Sequence, residues 1–120
     1  MPDSFAFPVL SDARGDLLPI ELSDVPFPVR RVFWVRGSSA GVGRGGHVAG
    51  CQELLVLTSG TAEIDYGPDP SAPRRVRLTA PGSGVLVADD DHVVYRLSGA
   101  DASILVLASE PYAALESRSG

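Results

Sequence analysis

Glycine and proline set the strongest limit on what this chain can fold into. Thirteen glycines and ten prolines are spread along the 120 residues, and they divide the chain into apolar runs of five to eight residues. Such runs are too short for most helices and are typical of β-strands. The sequence therefore predicts short strands at Asp16 to Leu22, Val29 to Arg36, Gln52 to Thr58, Thr61 to Tyr66, Arg74 to Leu78, Val85 to Ala88, Val93 to Leu97 and Ser103 to Ala108.

Strands of this kind, with no helix long enough to cross between parallel strands, predict an all-β fold. A jelly roll or closed barrel with a pocket at one end is the expected architecture. The length and the hydrophobic fraction of 44% suit one domain, with a core over about residues 6 to 112 and a polar tail over 113 to 120. Asp12 to Gly15 predicts a turn, Gly37 to Gly46 a mobile loop, and Tyr112 to Leu115 a short helix or a frayed end.

The charge balance argues against several classes of partner. All ten basic residues are arginine, against fifteen acidic residues, which gives a net charge of -5 and a pI near 4.8. An acidic chain without a basic run is not expected to bind nucleic acid or anionic membrane. The single cysteine, Cys51, excludes an intramolecular disulfide, and no secretory or membrane-spanning segment is evident. A cytoplasmic protein is expected.

The stretch from Arg44 to Gly60, RGGHVAGCQELLVLTSG, holds the candidate chemistry. It joins a glycine-rich entry, His47, the carboxylate of Glu53 and an apolar strand. The spacing matches the first metal motif of cupin barrels, with Ala49 where a second histidine is usual. His47, Glu53 and His92 are the candidate metal ligands, as in a facial triad of two imidazoles and a carboxylate.

A second interpretation of the same residues needs no metal and no cofactor. A histidine that titrates near neutral pH can move a proton to and from a carbon beside a carbonyl. Arginines nearby can hold a phosphate or stabilise an enolate. His47 with Arg44, and Arg31 on a neighbouring strand, suit these roles. Against this, Arg30, Arg31 and Arg36 can equally form surface ion pairs, as most arginines do.

Three further sequence features are candidate parts of a site. Trp34 and Tyr95 are candidates for a stacking floor under a base or sugar, or for core aromatics. Asp89 to Asp91 suggests a calcium or magnesium site, although a turn of three solvated acids is the favoured interpretation. Cys51 has no supporting base nearby in the sequence and is expected to be unreactive.

Several motifs, taken in order, resemble the WxcM-like, FdtA-type dTDP-sugar 3,4-ketoisomerases of the cupin superfamily. They are DARG at Asp12 to Gly15, PFPVRRV at Pro26 to Val32, RGGH at Arg44 to His47, the turn at His92, and LASEPY at Leu107 to Tyr112. The resemblance covers about residues 6 to 112.

This resemblance implies a cupin jelly roll that forms a strand-exchanged homodimer and needs no metal or other cofactor. It also implies a nucleotide-sugar substrate, interconverted between keto positions by proton transfer. Carried over by motif, the catalytic residues are His47, His92 and Arg44. The predicted substrate-binding residues are Arg31, Phe33, Trp34, Glu53 and Tyr95.

The sequence departs from the family pattern in three side chains. Ala49 replaces the second motif histidine, the Phe33-Trp34 pair replaces a tyrosine-rich pair, and Asp91 replaces the tryptophan before the last histidine. The segment from His47 to Gly60 is also one residue shorter than the family pattern, so His47 can align with either motif histidine. The family's C-terminal stretch is missing after Tyr112.

Three functions follow as hypotheses. The first is a proton-transferring isomerase acting on a dTDP-keto-sugar or another biosynthetic intermediate, with His47 as acid and base. The second is a non-catalytic relative that binds a small ligand or a partner protein, which the replacement at Ala49 favours. The third is a metal-dependent cupin.

Overall fold

The short apolar runs form two antiparallel sheets that pack face to face in the computed structural model, which describes residues 3–37 and 44–111. For residues 44–47 only the backbone is described. Within these ranges the strands are β1 (Ser4–Ala6), β2 (Leu10–Asp12), β3 (Gly15–Leu17), β4 (Arg31–Arg36), β5 (Arg44–Val48), β6 (Glu53–Ser59), β7 (Ala62–Gly67), β8 (Arg74–Leu78), β9 (Ser83–Val87), β10 (His92–Leu97) and β11 (Ser103–Ala108).

The strand order gives the two layers of a jelly roll. One sheet has the order β1-β9-β6-β11-β4, and the other has the order β5-β10-β7-β8. β2 and β3 form a separate hairpin. The all-β jelly-roll prediction is confirmed, and the described part of the chain contains no helix with the length and hydropathy needed to cross a membrane.

The interior between the sheets is filled by alternate residues of each strand, as the pleat requires. Leu55 and Leu57 of β6 meet Ile64 of β7 and Val93 of β10 there, and all four are almost fully buried. β6 is buried on its other face too, because Leu54 and Val56 pack against Phe7, Val25 and Phe27 from the N-terminal segment. A strand covered on both faces explains why this run is continuously apolar rather than alternating.

β11 lies between β4 and β6 and brings their first residues together. Ala108, the last residue of β11, is opposite Arg31 of β4 on one side and opposite Glu53 of β6 on the other. Ala108 is fully buried. Because its side chain is only a methyl group, two long side chains on the flanking strands can meet above it.

The outer face of the four-stranded sheet carries a cross-strand ion network. Asp65 of β7 accepts hydrogen bonds from Arg75 Nε of β8 at 2.7 Å and from Arg96 Nη1 of β10 at 3.2 Å. The hydrogen bonds from Arg75, followed by those from Arg96, lower the pKa of Asp65 to about 2. Arg75 and Arg96 are therefore paired with carboxylates on the solvent side of this sheet.

Two strands were predicted with their exact bounds, the ends of five others differ from the prediction by one or two residues (β4, β6, β7, β9 and β10), and β1, β2 and β5 were not predicted. β8 and β11 match the prediction, and the turn at Asp12 to Gly15 is confirmed by the hairpin and by the Arg14 N–H donating to Asp12 Oδ1 at 2.8 Å. The predicted strand Asp16 to Leu22 is wrong beyond Leu17, where the chain leaves the hairpin and enters a 3-10 turn at Leu22–Asp24.

The loop predicted from Gly37 to Gly46 is also partly wrong. β5 already begins at Arg44, because a glycine-rich segment can still pair through its backbone with β10. Residues 38–43 of that loop, and the short helix or frayed end predicted at Tyr112 to Leu115, lie outside the described residues.

Candidate active site

The inner face of β4 and β6 carries an ion pair at one end of the interior. Arg31, Phe33 and Val35 form the inner face of β4, and Arg31 Nη2 lies 3.8 Å from Glu53 Oε2. The Arg31 guanidinium also lies over the Phe33 ring, 4.9 Å from its centroid. The side chains of Arg31 and Glu53 are 15% and 10% exposed, so both are largely desolvated but still reachable from solvent.

Burial makes Glu53 an unusual carboxyl group. Desolvation raises its pKa from 4.5 to about 7, and the charge of Arg31 opposes this rise. A carboxylate loses hydration when it is buried, and one cation at 3.8 Å does not replace that hydration. Glu53 therefore exchanges a proton near neutral pH, which is the range in which a group can serve as both acid and base.

The glycine-rich motif lies on β5, beside the inner face of β10. In the backbone register, His47 is opposite Val93 and Arg44 is opposite Tyr95, and the pairing shifts by one residue between Val93 and Val94. The side chains of Arg44 and His47 lie outside the described residues. Both positions are nevertheless opposite residues of the buried core.

Ala49 is buried in the same inner core, with 6% of its surface exposed. Its backbone N–H donates to the carbonyl of Asp91 at 2.9 Å, which holds the end of the β5 segment against the turn before β10. The position that the RGGH match aligns with the second motif histidine is thus an inward position here. It offers a methyl group to the interior instead of an imidazole.

His92 lies on the opposite side of its sheet from the Arg31–Glu53 pair. Val93 and Tyr95 of the same strand are buried in the core. His92 is on the opposite face of β10 and is half-buried there. The hydrogen bonds from the Ser71 hydroxyl and backbone N–H lower the pKa of Asp69 in the β7–β8 loop, and the nearby His92 makes a smaller contribution to the same shift. Since Glu53 faces inward and His92 outward, these two residues do not join in one metal site.

The predicted aromatic residues separate in the same way. Phe33 and Tyr95 face the interior, and Phe33 supports Arg31. Trp34 is on the outer face of β4, 56% exposed, with the Arg36 guanidinium 4.8 Å from its ring centroid. The stacking floor predicted from Trp34 and Tyr95 is therefore not formed within this chain.

A cavity of about 250 Å³ opens at the same end of the fold, and sequence reasoning did not find it. Arg74 lies over the Tyr66 ring at 4.7 Å and within 4 Å of the carboxylates of Asp3 and Asp91. The Tyr66 hydroxyl donates to Asp3 Oδ2 at 3.0 Å. The cavity is lined by Asp3, Gln52, Arg74, Leu86, Ala88, Asp89 and Asp91.

The expectation of three solvated acids at Asp89 to Asp91 is wrong for Asp91. This residue is 3% exposed and its Oδ2 accepts the Ala88 N–H at 2.9 Å, so it closes the turn from inside. The described residues hold no cluster of three or more carboxylate, histidine or cysteine side chains arranged for a metal ion. Cys51 is a buried free thiol.

Comparison with known proteins decides the family. The family model described as FdtA, WxcM-like, C-terminal, matches residues 3–117, which is nearly the whole chain. The chain belongs to this family. The resemblance inferred from the motifs DARG, RGGH and LASEPY is confirmed. No curated protein matches the sequence.

Solved structures of this WxcM-like fold are similar to the chain over most of its length. A 3,4-ketoisomerase from Helicobacter canadensis is 25% identical, with a TM-score of 0.78, and the match covers 91% of this chain and 83% of that one. QdtA, a sugar 3,4-ketoisomerase from Thermoanaerobacterium thermosaccharolyticum solved with TDP, is 26% identical, with a TM-score of 0.78 and coverage of 91% and 80%. A His-to-Asn mutant of QdtA, solved with TDP-4-keto-6-deoxyglucose, is 25% identical with a TM-score of 0.78 and the same coverage.

Proposed function

We propose that this WxcM-like protein is an isomerase that interconverts the 4-keto and 3-keto forms of a dTDP-linked 6-deoxyhexose. The observation that carries the proposal is the Arg31–Glu53 pair, desolvated on the inner face and still reachable from solvent. Family membership and the 3,4-ketoisomerase activity named for the similar structures support the same reaction.

The reaction consists of proton transfers only. A base removes the proton on C3 of the 4-keto sugar while an acid gives a proton to the C4 carbonyl oxygen, and an enediol with a C3–C4 double bond results. Return of a proton to C4 and loss of the O3 proton give the 3-keto product. Histidine and carboxyl groups can perform these steps, and the reaction needs no electron acceptor.

His47 is the proposed base for the carbon-bound proton, because its backbone position is opposite Val93 of the inner face. Arg44, opposite Tyr95, and Arg31 are proposed to hold anionic oxygens of the diphosphate or of the enediolate. Phe33 and Tyr95 supply inner aromatic surface. Because His92 lies on the outer face, the carbon-proton step is assigned to His47 alone.

The proposal is tested with dTDP-4-keto-6-deoxyglucose in deuterated water. The wild-type protein is expected to form the 3-keto isomer and to incorporate solvent deuterium at carbon, both followed by NMR, and to bind dTDP in calorimetry. His47→Ala should abolish deuterium incorporation. A wild-type protein that neither binds dTDP nor exchanges deuterium would contradict the sugar isomerase.

A binding protein without catalysis is the second candidate, and buried Ala49 is the observation that favours it. Such a protein would bind dTDP or its sugar but leave the C3 proton in place. The same deuterium experiment separates the two functions, because binding without exchange supports this candidate and contradicts the isomerase.

We also propose a homodimer in the cytoplasm as the working form. β4 is an edge strand, and its outer face presents Val32 and Trp34, which are 53% and 56% exposed. Large apolar side chains on an unpaired edge are a common basis for subunit contact. The acidic composition and the single buried thiol of Cys51 suit a reducing compartment.

A further inference from the structure

With alanine at position 49, the chain has one histidine fewer than the family motif, and the proposed reaction needs a second group that carries a proton. Moving a keto group between neighbouring carbons shifts one proton between carbons and another between oxygens. The outward position of His92 removes a second imidazole from the described interior. The side chain that handles the oxygen-bound proton has therefore to be sought among the other inward groups.

Glu53 is placed for that task. Among the carboxylates on the described strands of the two large sheets, it alone faces inward, since Glu63 and Asp65 of β7 lie on the outer face with Arg75 and Arg96. Glu53 lies two residues before Leu55 on β6, so the two side chains share one face of the strand. Leu55 lies in the same core cluster as Ala49. The carboxyl group thus enters the interior that lacks the imidazole.

The surroundings of Glu53 favour a group that changes protonation near neutral pH. Arg31 on β4 is the described charged group that acts on it, while desolvation raises its pKa to about 7. The neighbouring β9 and β11 place uncharged side chains, Val87 and Ala108, opposite it. The titratable side chains that the described strands of the facing sheet contribute to the core are Tyr66 and Tyr95, and Cys51 lies two residues earlier in the chain.

We propose that Glu53 is the second proton-transferring residue of the isomerisation, shuttling the oxygen-bound proton in place of the absent histidine. This inference rests on the proposed function. As His47 removes the C3 proton, the Glu53 carboxyl group gives its proton to the C4 carbonyl oxygen, which forms the enediol. The Glu53 carboxylate then takes the O3 proton while C4 receives the proton held by His47, and both residues return to their starting states.

The test compares Glu53→Gln with Glu63→Gln as its matched control. Gln keeps the size of the side chain and places a carbonyl oxygen near Arg31, but it cannot carry the proton. At pH 7, kcat of Glu53→Gln on dTDP-4-keto-6-deoxyglucose is expected to fall about 100-fold, the usual contribution of a general acid or base. Calorimetric Kd for dTDP should stay within about twofold of wild type. Glu63→Gln changes an outer-face residue and should leave both values unchanged.

The pH dependence of kcat distinguishes proton transfer by Glu53 from a purely structural role of this residue. The wild-type enzyme needs Glu53 protonated at the start of the forward reaction, so kcat should fall as pH rises through about 7. The residual activity of Glu53→Gln should lack this fall.

The outcomes separate the two levels of inference. An active wild type whose Glu53→Gln variant keeps its kcat and the alkaline fall would overturn the role of Glu53 and leave the isomerase intact. A wild-type protein without dTDP binding or deuterium exchange would overturn both.

Discussion

Glu53 shows how one buried side chain can combine a stability cost with a chemical use. The fold removes its carboxyl group from water and provides one cation, Arg31, at 3.8 Å. A raised pKa means that folding favours the neutral acid, so ionisation weakens the native state. Residues that destabilise a fold in this way are often kept for function.

Replacement of Glu53 by Gln should therefore stabilise the protein at alkaline pH. The unfolded pKa is 4.5 and the folded pKa about 7, so the wild type loses stability as pH rises between these values. The loss is roughly 3 kcal/mol above pH 8. Glu53→Gln should match the wild-type Tm at pH 4.5 and exceed it by several degrees at pH 8.5, measured by differential scanning calorimetry. Equal Tm values at both pH values would contradict the buried acid.

The sequence located this site only in part. Arg31, Phe33 and Glu53 were predicted as substrate-binding residues, and the structure places all three on the inner face. Sequence could not show that Arg31 meets Glu53, since the contact spans a third strand, β11, whose register depends on tertiary packing. The outward direction of His92 was missed for a similar reason. A histidine at the first position of a strand can face either way until the pleat is fixed by its neighbours.

At the scale of elements, tight turns fix how the two sheets meet. The turn from β6 to β7 contains Gly60, whose φ is +69°. A Cβ at this position would lie 2.7 Å from Ala102 Cα, which belongs to the segment before β11. The turn therefore requires glycine for its backbone conformation and for the close approach of a neighbouring chain segment.

Gly60→Ala should destabilise the protein by about 2–4 kcal/mol, since backbone strain and a backbone contact add together. Gly15→Ala is the matched control, because its φ is +120° but no atom lies within 4 Å of the added Cβ. The control should lose only the strain contribution, about 1–2 kcal/mol. Urea unfolding followed by circular dichroism measures both values. Equal losses in the two variants would contradict the contact with Ala102.

Strand existence was predictable at this scale because glycine and proline mark the ends of apolar runs. Short pairing segments were not predictable. β1 and β5 are held by backbone pairing with β9 and β10. The sequences of β1 and β5 do not predict this pairing. The predicted strand from Asp16 to Leu22 ends at Leu17, because the residues DLLPIEL do not alternate between apolar and polar and so give no consistent inner face.

At the scale of the whole molecule, the two outer faces differ in character. The four-stranded sheet shows paired charges to solvent, as in the network around Asp65. On the five-stranded sheet, the N-terminal segment covers the middle, through Phe7 and Phe27, but Val32 and Trp34 at the β4 edge remain exposed. The uncovered edge is the surface that the proposed homodimer would bury.

Trp34→Arg should shift the protein from dimer to monomer. The wild type is expected at twice the chain mass of 12.5 kDa in light scattering, and the variant at the chain mass. Val48→Arg is the control, because Val48 is also exposed but lies on the other sheet, so it should remain dimeric. A wild type that is monomeric at micromolar concentration would contradict the dimer, and dissociation by both variants would contradict the β4 edge as its interface.

The size of the side chain at position 108 affects the pKa of Glu53, although residue 108 is itself not ionisable. The methyl group of Ala108 occupies the strand position between Arg31 and Glu53, so its size sets how closely the guanidinium can approach the carboxylate. A bulkier residue there would push the cation away, and Glu53 would become a weaker acid with the same carboxyl group in the same strand. Substitution at a fully buried, uncharged position would in this way shift the pH range over which Glu53 titrates.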